Sequence, residues 1–440
     1  MTEPTAAVAS AVADTICRTV ELGVTITGAA AEPQLTHLLA EVLAPDLHCP
    51  GCGTEGRLRD RVVRSLTDLP LAGLPTRLHL RVPRLHCERA GCAVKVFRAG
   101  IDQVAARRAS CTHRVTRWIL QRLVCDKMSI SAVGKVLGVG WNTVNSLALS
   151  ACRSLVYDGD HLDGVRVIGV DEHTWKHVQG QGDPSSVTVI VDLTPVLDGT
   201  GPARLLDMVP GRSQAAFAGW LKARDQAFRD RVKVVAMDGF TGYRTAAEAE
   251  LPQAVTVMDP FHVVHLAADK LTVCRQRIQQ LTCGHRGRKG DPLYGIRRLV
   301  LTRPALLTDK QQTRLDAGLA ADEMHVAVDV TRQVYLQLID AYQQPNRATG
   351  KKLMLTLLEK IRGGLPPGLG ELAQLGRTLW RKRAQVLAYF DTDASNGPVE
   401  AINGRLEHLR GIALGFRNLE HYILRSLLHS GQLADRVNAL

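Results

Sequence analysis

Two apolar runs, "VRVIGVDE" at residues 165–172 and "VKVVAMDG" at 232–239, hold their hydrophobic pattern until each meets an aspartate, Asp171 in the first and Asp238 in the second. A carboxylate at the end of a buried strand costs desolvation free energy unless it is paired or binds a cation. Two further strand patterns follow the first run, "SVTVIVDL" (186–193) and "ARLLDMV" (203–209), and "AVTVMDP" (254–260) follows the second. A helical pattern spans about 213–229, and a short one separates the last two strands.

The order is therefore three strands of hairpin type, a helix, a fourth strand, a helix and a fifth strand. That is the ribonuclease-H-like plan, in which the first and fourth strands are neighbours. It predicts Asp171 and Asp238 side by side. Two carboxylates so held repel unless divalent cations lie between them. Two Mg²⁺ ions about 4 Å apart can activate an attacking oxygen and stabilise a leaving one in phosphodiester chemistry, with a third carboxylate from a helix completing the cage.

Other roles stay open. Aspartate at a strand end is also a common turn residue, and Asp192 before Thr194–Pro195 is read that way. Glu172 adjoins Asp171, but alternation along the strand sends it to the opposite face. Asp259 ends the fifth strand and His262 follows three residues on; both can face the site as groups that support the ligands, or form an Asp-Pro turn and helix start.

Charge distribution narrows the partner. The 440 residues carry a net charge of +12, and the length suits two to four domains. Residues 77–117 hold ten Lys/Arg against two acidic residues, and 271–304 hold eight against Asp291 alone, whereas 160–270 hold fifteen acidic against eleven basic. Basic flanks around a more acidic centre fit a nucleic-acid enzyme whose site holds metal, and disfavour an acidic small substrate. No stretch reaches membrane-spanning length and no secretory start is present. The ten cysteines then point to a reducing cytoplasm and to metal ligation before disulfides.

Four of them are paired. "HCPGC" supplies Cys49 and Cys52, and "HCERAGC", 34 residues on, supplies Cys87 and Cys92. Such pairs place four thiolates tetrahedrally around Zn²⁺; His48 and His86 adjoin them as substitutes, but Cys₄ is the simpler set. Cysteines 17, 111, 125, 152, 274 and 283 are unpaired in sequence and read as buried or inert thiols. Further on, Ser129 can cap a helix running to Leu137, with Gly138–Gly140 as the turn and a second helix from Trp141. This is the helix-turn-helix pattern, or else a plain helical hairpin; in the first case Trp141, Asn142, Thr143 and Asn145 are the DNA-facing candidates.

Near the end, "SNGPVEAINGRLEHLRG" (395–411) starts a helix at Pro398, with Ser395 or Asn396 nearby as a cap. Val399, Ile402, Leu406 and Leu409 make an apolar stripe, and Glu400, Asn403 and Glu407 share the next face. Taken alone, Glu400 is better explained by the helix dipole than by catalysis.

Together, "CPGC…CERAGC", "VIGVDEHTW", "VTVIVDLTPV", "GRSQAAF", "VVAMDGFTGY", "AVTVMDPFHVV", "HRGRKGDPLYGIRR" and "SNGPVEAINGRLEHLRGIALGFRN" resemble the DDE transposases of bacterial insertion sequences, specifically the ISL-three family, over nearly the whole chain. The resemblance implies an α/β multidomain protein: an N-terminal zinc ribbon, a helix-turn-helix, and a ribonuclease-H-like core interrupted by an α-helical insertion. It puts the catalytic triad, which is also the Mg²⁺ (or Mn²⁺) site, on Asp171, Asp238 and Glu400, and the D-x-x-H element on Asp259 and His262. Many relatives have glycine after the triad glutamate and a more basic run beyond; Ala401 and "LRGIALG" stand here.

The implied chemistry is hydrolysis at transposon ends to free a 3′-OH, then attack of that hydroxyl on target DNA. Phosphates would be held by Arg286, Arg288, Lys289, Arg297 and Arg298 and by residues 381–383, whose alternative is a solvated charged face. Trp380 would pack or stack on a base. The expected divisions are 1–45, of unclear structure; 46–105, zinc ribbon; 106–158, helix-turn-helix; 159–262, first part of the core; 263–392, helical insertion; and 393–440, last part of the core with the Glu400 helix. Expected partners are double-stranded DNA, as terminal inverted repeats and target, and further copies of the chain, since pairing two ends takes at least a dimer; the expected location is the bacterial cytoplasm, on the nucleoid. The alternative is a catalytically silent DNA-binding regulator derived from a transposase, and a junction resolvase is disfavoured by the zinc and helix-turn-helix front end.

Overall fold

The structure, a computed structural model, describes residues 6–176 and 185–440. It comprises two compact units, Met1–His161 with Leu409–Leu440, and Leu162–His408.

The first unit opens with α1 (Ala6–Cys17), then β1 (Val24–Glu32), β2 (Leu35–Val42), β3 (Arg57–Leu71), β4 (Leu74–His86) and β5 (Val96–Arg98). They form one sheet in the order β1-β2-β4-β3, with β5 against β4. Leu71 pairs with Leu74, so Ala72 and Gly73 alone make the hairpin turn. Both have positive φ, 52° and 83°, the twist a two-residue hairpin needs. The alternation of "RLHLRVPRLH" appears as β4, buried through Leu78, Leu80, Val82 and Leu85. Its partner β3 is masked in sequence by the arginines on its exposed half.

Helices follow: α2 (His113–Val124), α3 (Ile130–Leu137) and α4 (Trp141–Tyr157). The Ser129 hydroxyl accepts the Ala132 N–H at 3.1 Å and caps α3. Gly138, at φ 61°, closes it, and Gly140 precedes α4.

In the second unit, β6 (Val167–Thr174) and β7 (Ser186–Asp192) are antiparallel neighbours; a single turn, α5 (Thr194–Leu197), leads to β8 (Arg204–Pro210), antiparallel to β7. Next come α6 (Gln214–Lys222), α7 (Gln226–Arg231), β9 (Val234–Met237), α8 (Thr241–Glu250) and β10 (Val255–Met258). The one helix expected over 213–229 is thus two, because the Asp225 carboxylate takes the Phe228 N–H at 2.7 Å and starts a new helix. Sheet order is β10-β9-β6-β7-β8. The two crossovers through helices add parallel strands, as hairpins cannot.

From Pro260 the unit is helical: α9 (Pro260–Cys283), α10 (Pro292–Gly295), α11 (Asp309–Leu319), α12 (Val326–Gln343), α13 (Arg347–Ile361), α14 (Gly370–Arg381), α15 (Arg383–Thr392) and α16 (Gly397–Ile412). Leu271, Ile278, Val328, Leu338, Leu358, Leu372 and Leu379 share one buried core there. The chain then returns to the first unit as α17 (Leu419–Ser430) and α18 (Ala434–Ala439), packed on α4 and α2. Of the unpaired cysteines, Cys111, Cys152 and Cys274 are buried and Cys17 and Cys283 partly so, but Cys125 is exposed. No helix among the described residues is long and apolar enough to cross a membrane.

Candidate active site and metal centres

Strand β6 is buried from Val167 to Asp171. Its parallel register on β9 sets Val170 opposite Met237, so Asp171, within β6, stands beside Asp238, the first residue after β9; β6 itself runs three residues past the aspartate expected to end it. Asp171 is 9% exposed. One carboxylate oxygen accepts the Glu172 N–H at 2.8 Å, the other the Asn403 side-chain amide at 3.1 Å. Asp238 accepts the Phe240 N–H at 2.9 Å. Burial pushes the Asp171 carboxyl up to about 6, and the negative charge of Asp238 adds to the rise. Two adjacent acids, one buried and neither in an ion pair among the described residues, are a donor set that fits a hard divalent ion.

Glu172 pairs with Arg212. Asp192 is a buried turn residue: it takes the Thr194 N–H and the Arg204 guanidinium, each at 2.9 Å. Lys382 donates to the Gly239 carbonyl beside Asp238, and burial lowers its ammonium from the ordinary value, with Arg244 adding to the fall.

Helix α16 reaches this strand by a close approach. Val399, Ile402, Leu406 and Leu409 are all buried, as the stripe in the sequence predicts. A Cβ at Gly169 would lie 2.4 Å from Val399 Cγ2; only glycine lets the helix sit here. Asn396, fully buried, precedes the helix and fastens it twice. Its N–H donates to Asp259 at 2.6 Å, and its side-chain amide donates to the Val170 carbonyl at 3.2 Å. Asp259 also caps α9 through the His262 N–H at 3.4 Å.

Glu400 lies in the first turn of α16, with its carboxylate exposed. Among the described residues two sets of side chains bring candidate ligand atoms within 4.8 Å of one another: the four paired cysteines, and Asp259, His262 and Glu400. Glu400 thus gathers with the D-x-x-H pair, while Asp171 and Asp238 pair with each other. Gly169 is a site residue the sequence did not single out; Asn396 is expected there only as a helix cap, and Lys382 only as a cation for phosphate. A glycine inside an apolar strand is a recognised sign of close approach; Asn396 carries no such sign, its partners lying 137 and 226 residues away.

In the first unit Cys49 and Cys92 sulfurs are 3.8 Å apart, and those of Cys52 and Cys87 3.5 Å. A tetrahedral site with Zn–S bonds near 2.3 Å has edges of about 3.8 Å, so the set fits zinc. The N–H and hydroxyl of Thr54 hold the Cys52 thiol down to about 6. His48 instead pairs with Asp46 at 2.7 Å, and His86 is exposed. Cys87→Ser is expected to lower bound zinc from about one ion per chain to near none, by atomic emission on purified protein; undiminished zinc would refute the site.

Trp141 and Asn142 are exposed at the start of α4, and Thr143 partly so. Asn145 is only 4% exposed: it lies on the buried face with Val144 and Ala148, so the expectation that it faces DNA is corrected. Arg286, Arg288, Lys289, Arg297 and Arg298 are exposed. Trp380 is half-buried between Arg362 and Arg383, whose guanidinium carbons lie 4.7 and 4.6 Å from its ring centre.

Comparison with known proteins gives two family matches. Residues 168–426 match the ISL-three family model described as "Transposase", and residues 46–92 match "zinc-finger of transposase IS204/IS1001/IS1096/IS1165". The chain is 26% identical over 381 residues to the "Transposase for insertion sequence element IS1001" of Bordetella parapertussis, covering 86% of this chain and 87% of that protein. It is 23% identical over 405 residues to the "Transposase for insertion sequence element IS1557" of Mycobacterium tuberculosis, covering 86% and 85%.

Proposed function

The chain belongs to the ISL-three family of transposases, and from that premise we propose that it is a metal-dependent DDE transposase with Asp171, Asp238 and Glu400 as its catalytic carboxylates. The observation that carries this is the β6–β9 register, which sets a buried Asp171 beside Asp238. Strand order β10-β9-β6-β7-β8, with helical crossovers on one side and hairpins on the other, supports a ribonuclease-H-like core, interrupted by the helices from α9 to α15.

In this reading Asp171, Asp238 and Glu400 would be the carboxylates that hold divalent cations, Mg²⁺ or Mn²⁺. Such cations activate an attacking oxygen and neutralise the leaving one. Asn403 fixes the rotamer of Asp171, and Lys382 offers a cation beside Asp238. Hydrolysis at an element end frees a 3′-OH, and a second use of the site joins that hydroxyl to target DNA. The zinc ribbon and the α3–α4 helix-turn-helix, through Trp141, Asn142 and Thr143, bind the terminal repeats; Arg286, Arg288, Lys289, Arg297 and Arg298 hold phosphates. Two ends held together call for at least two copies of the chain.

The test is cleavage of a duplex bearing the element's own terminal repeats in Mg²⁺. Asp238→Ala and Glu400→Gln are each expected to cut end cleavage by about a hundredfold or more, and chelation to stop it. Full cleavage by these variants would remove the triad, and full cleavage under chelator the metal. Repeat binding by wild-type protein without cleavage would identify a silent regulator instead.

A further inference from the structure

Glu400 is separated from Asp238 by 161 intervening residues, yet the candidate ligands its carboxylate gathers with are Asp259 and His262. We propose that these three residues hold one divalent cation among themselves, through two carboxylates and the imidazole of His262, as a site chemically distinct from the all-oxygen pair Asp171–Asp238. This rests on the reading of Glu400 as a metal ligand and names its partners.

Helix chemistry accounts for part of the cluster. Asp259 caps α9, and Glu400 faces the positive end of α16. Neither role explains His262, whose Nε2 is buried with no hydrogen-bond partner among the described residues. An imidazole nitrogen in that condition has lost water and gained nothing. A cation supplies the missing partner. Each Asp259 oxygen receives a single N–H, from Asn396 on one and from His262 on the other, so each keeps a lone pair for a metal.

The charge count agrees. Two carboxylates give −2, and the two helix N-termini return about +0.5 each. A net of about −1 remains beside the −2 of Asp171 and Asp238, enough to attract a cation. The donor set also has a preference. Mg²⁺ favours oxygen, whereas imidazole favours the first-row transition ions, so this site takes Mn²⁺ over Mg²⁺.

The experiment is electron paramagnetic resonance on the full chain, zinc-loaded and titrated with Mn²⁺. Bound Mn²⁺ is expected to show ¹⁴N modulation from a coordinated imidazole. His262→Gln is expected to abolish that modulation and to weaken one class of bound Mn²⁺ about tenfold or more, while Asp171→Asn retains it. Mn²⁺ bound without ¹⁴N modulation in the wild type, or modulation unchanged in His262→Gln, overturns this site and leaves the Asp171–Asp238 reading standing. No bound Mn²⁺ at all overturns both. The wild-type spectrum decides the point even where a variant folds poorly.

Discussion

Asp171→Asn is expected to abolish end cleavage and, in metal-free protein at neutral pH, to raise the melting temperature. The two effects share one cause. Burial and the Asp238 charge lift the Asp171 carboxyl from 3.8 to about 6, so its ionised form opposes folding when no cation is bound. An acid raised in the folded state contributes its full stability below the unfolded value, and loses it as pH climbs through the folded one. The difference between variant and wild type is therefore small near pH 4 and grows until about pH 7. A shift of this size amounts to at most about 3 kcal/mol; the lost hydrogen bond from Asn403 reduces it, leaving a few degrees in melting temperature. Adding Mn²⁺ or Mg²⁺ should raise the wild-type melting point more than the variant's. Calorimetry of both proteins across that pH range checks this, and equal melting curves at pH 7 would show that Asp171 is not under electrostatic strain.

Gly169→Ala is the second large effect. Its new Cβ would stand 2.4 Å from Val399 Cγ2, 3.0 Å from Leu193 Cδ1 and 3.3 Å from Asn396 Oδ1. The first distance is impossible, so α16 must move or Val399 must change rotamer in a packed interface, at about 1–3 kcal/mol. Glu400 is one residue from Val399, and a displacement near 1 Å at a reacting centre costs about a hundredfold in rate. Cleavage should fall on that scale while the folded fraction stays high. Val399→Ala in the same chain removes the clashing methyl and should return most of the activity. A Gly169→Ala protein with wild-type cleavage, or a double variant no better than the single, would mean that this seam does not set Glu400.

The two aspartates are readable because their message is local: an apolar run that meets a carboxylate states both burial and charge, though it misplaces the end of β6, whose last three residues are more polar. The hydrophobic stripe of α16 was equally plain, and so was the cap of α3 at Ser129. What escaped needed contacts across the fold. The sequence puts Asn403 on the polar face it shares with Glu400, but its bond to Asp171 spans 232 residues, and nothing in "NGRLEHL" names that partner. The helix-turn-helix pattern offers Asn145 to DNA with the start of the second helix, but Asn145 shares the buried face of Val144 and Ala148. Strand β3 escaped because arginines occupy its exposed positions and dilute the alternation. The grouping of Glu400 with His262 was likewise invisible, since spacing within a motif says nothing about a residue 138 positions further on.

The bond from Asn396 to Asp259 also has a topological consequence. It closes the 259–396 excursion at its mouth, where the two helix starts meet. The position of Glu400 is therefore fixed at the neck of that loop and does not depend on its contour length. Loop-closure entropy rises by only about 0.6 kcal/mol per doubling of length. Added length at the exposed Gly363–Gly364 turn is then expected to leave the chemistry at the neck in register.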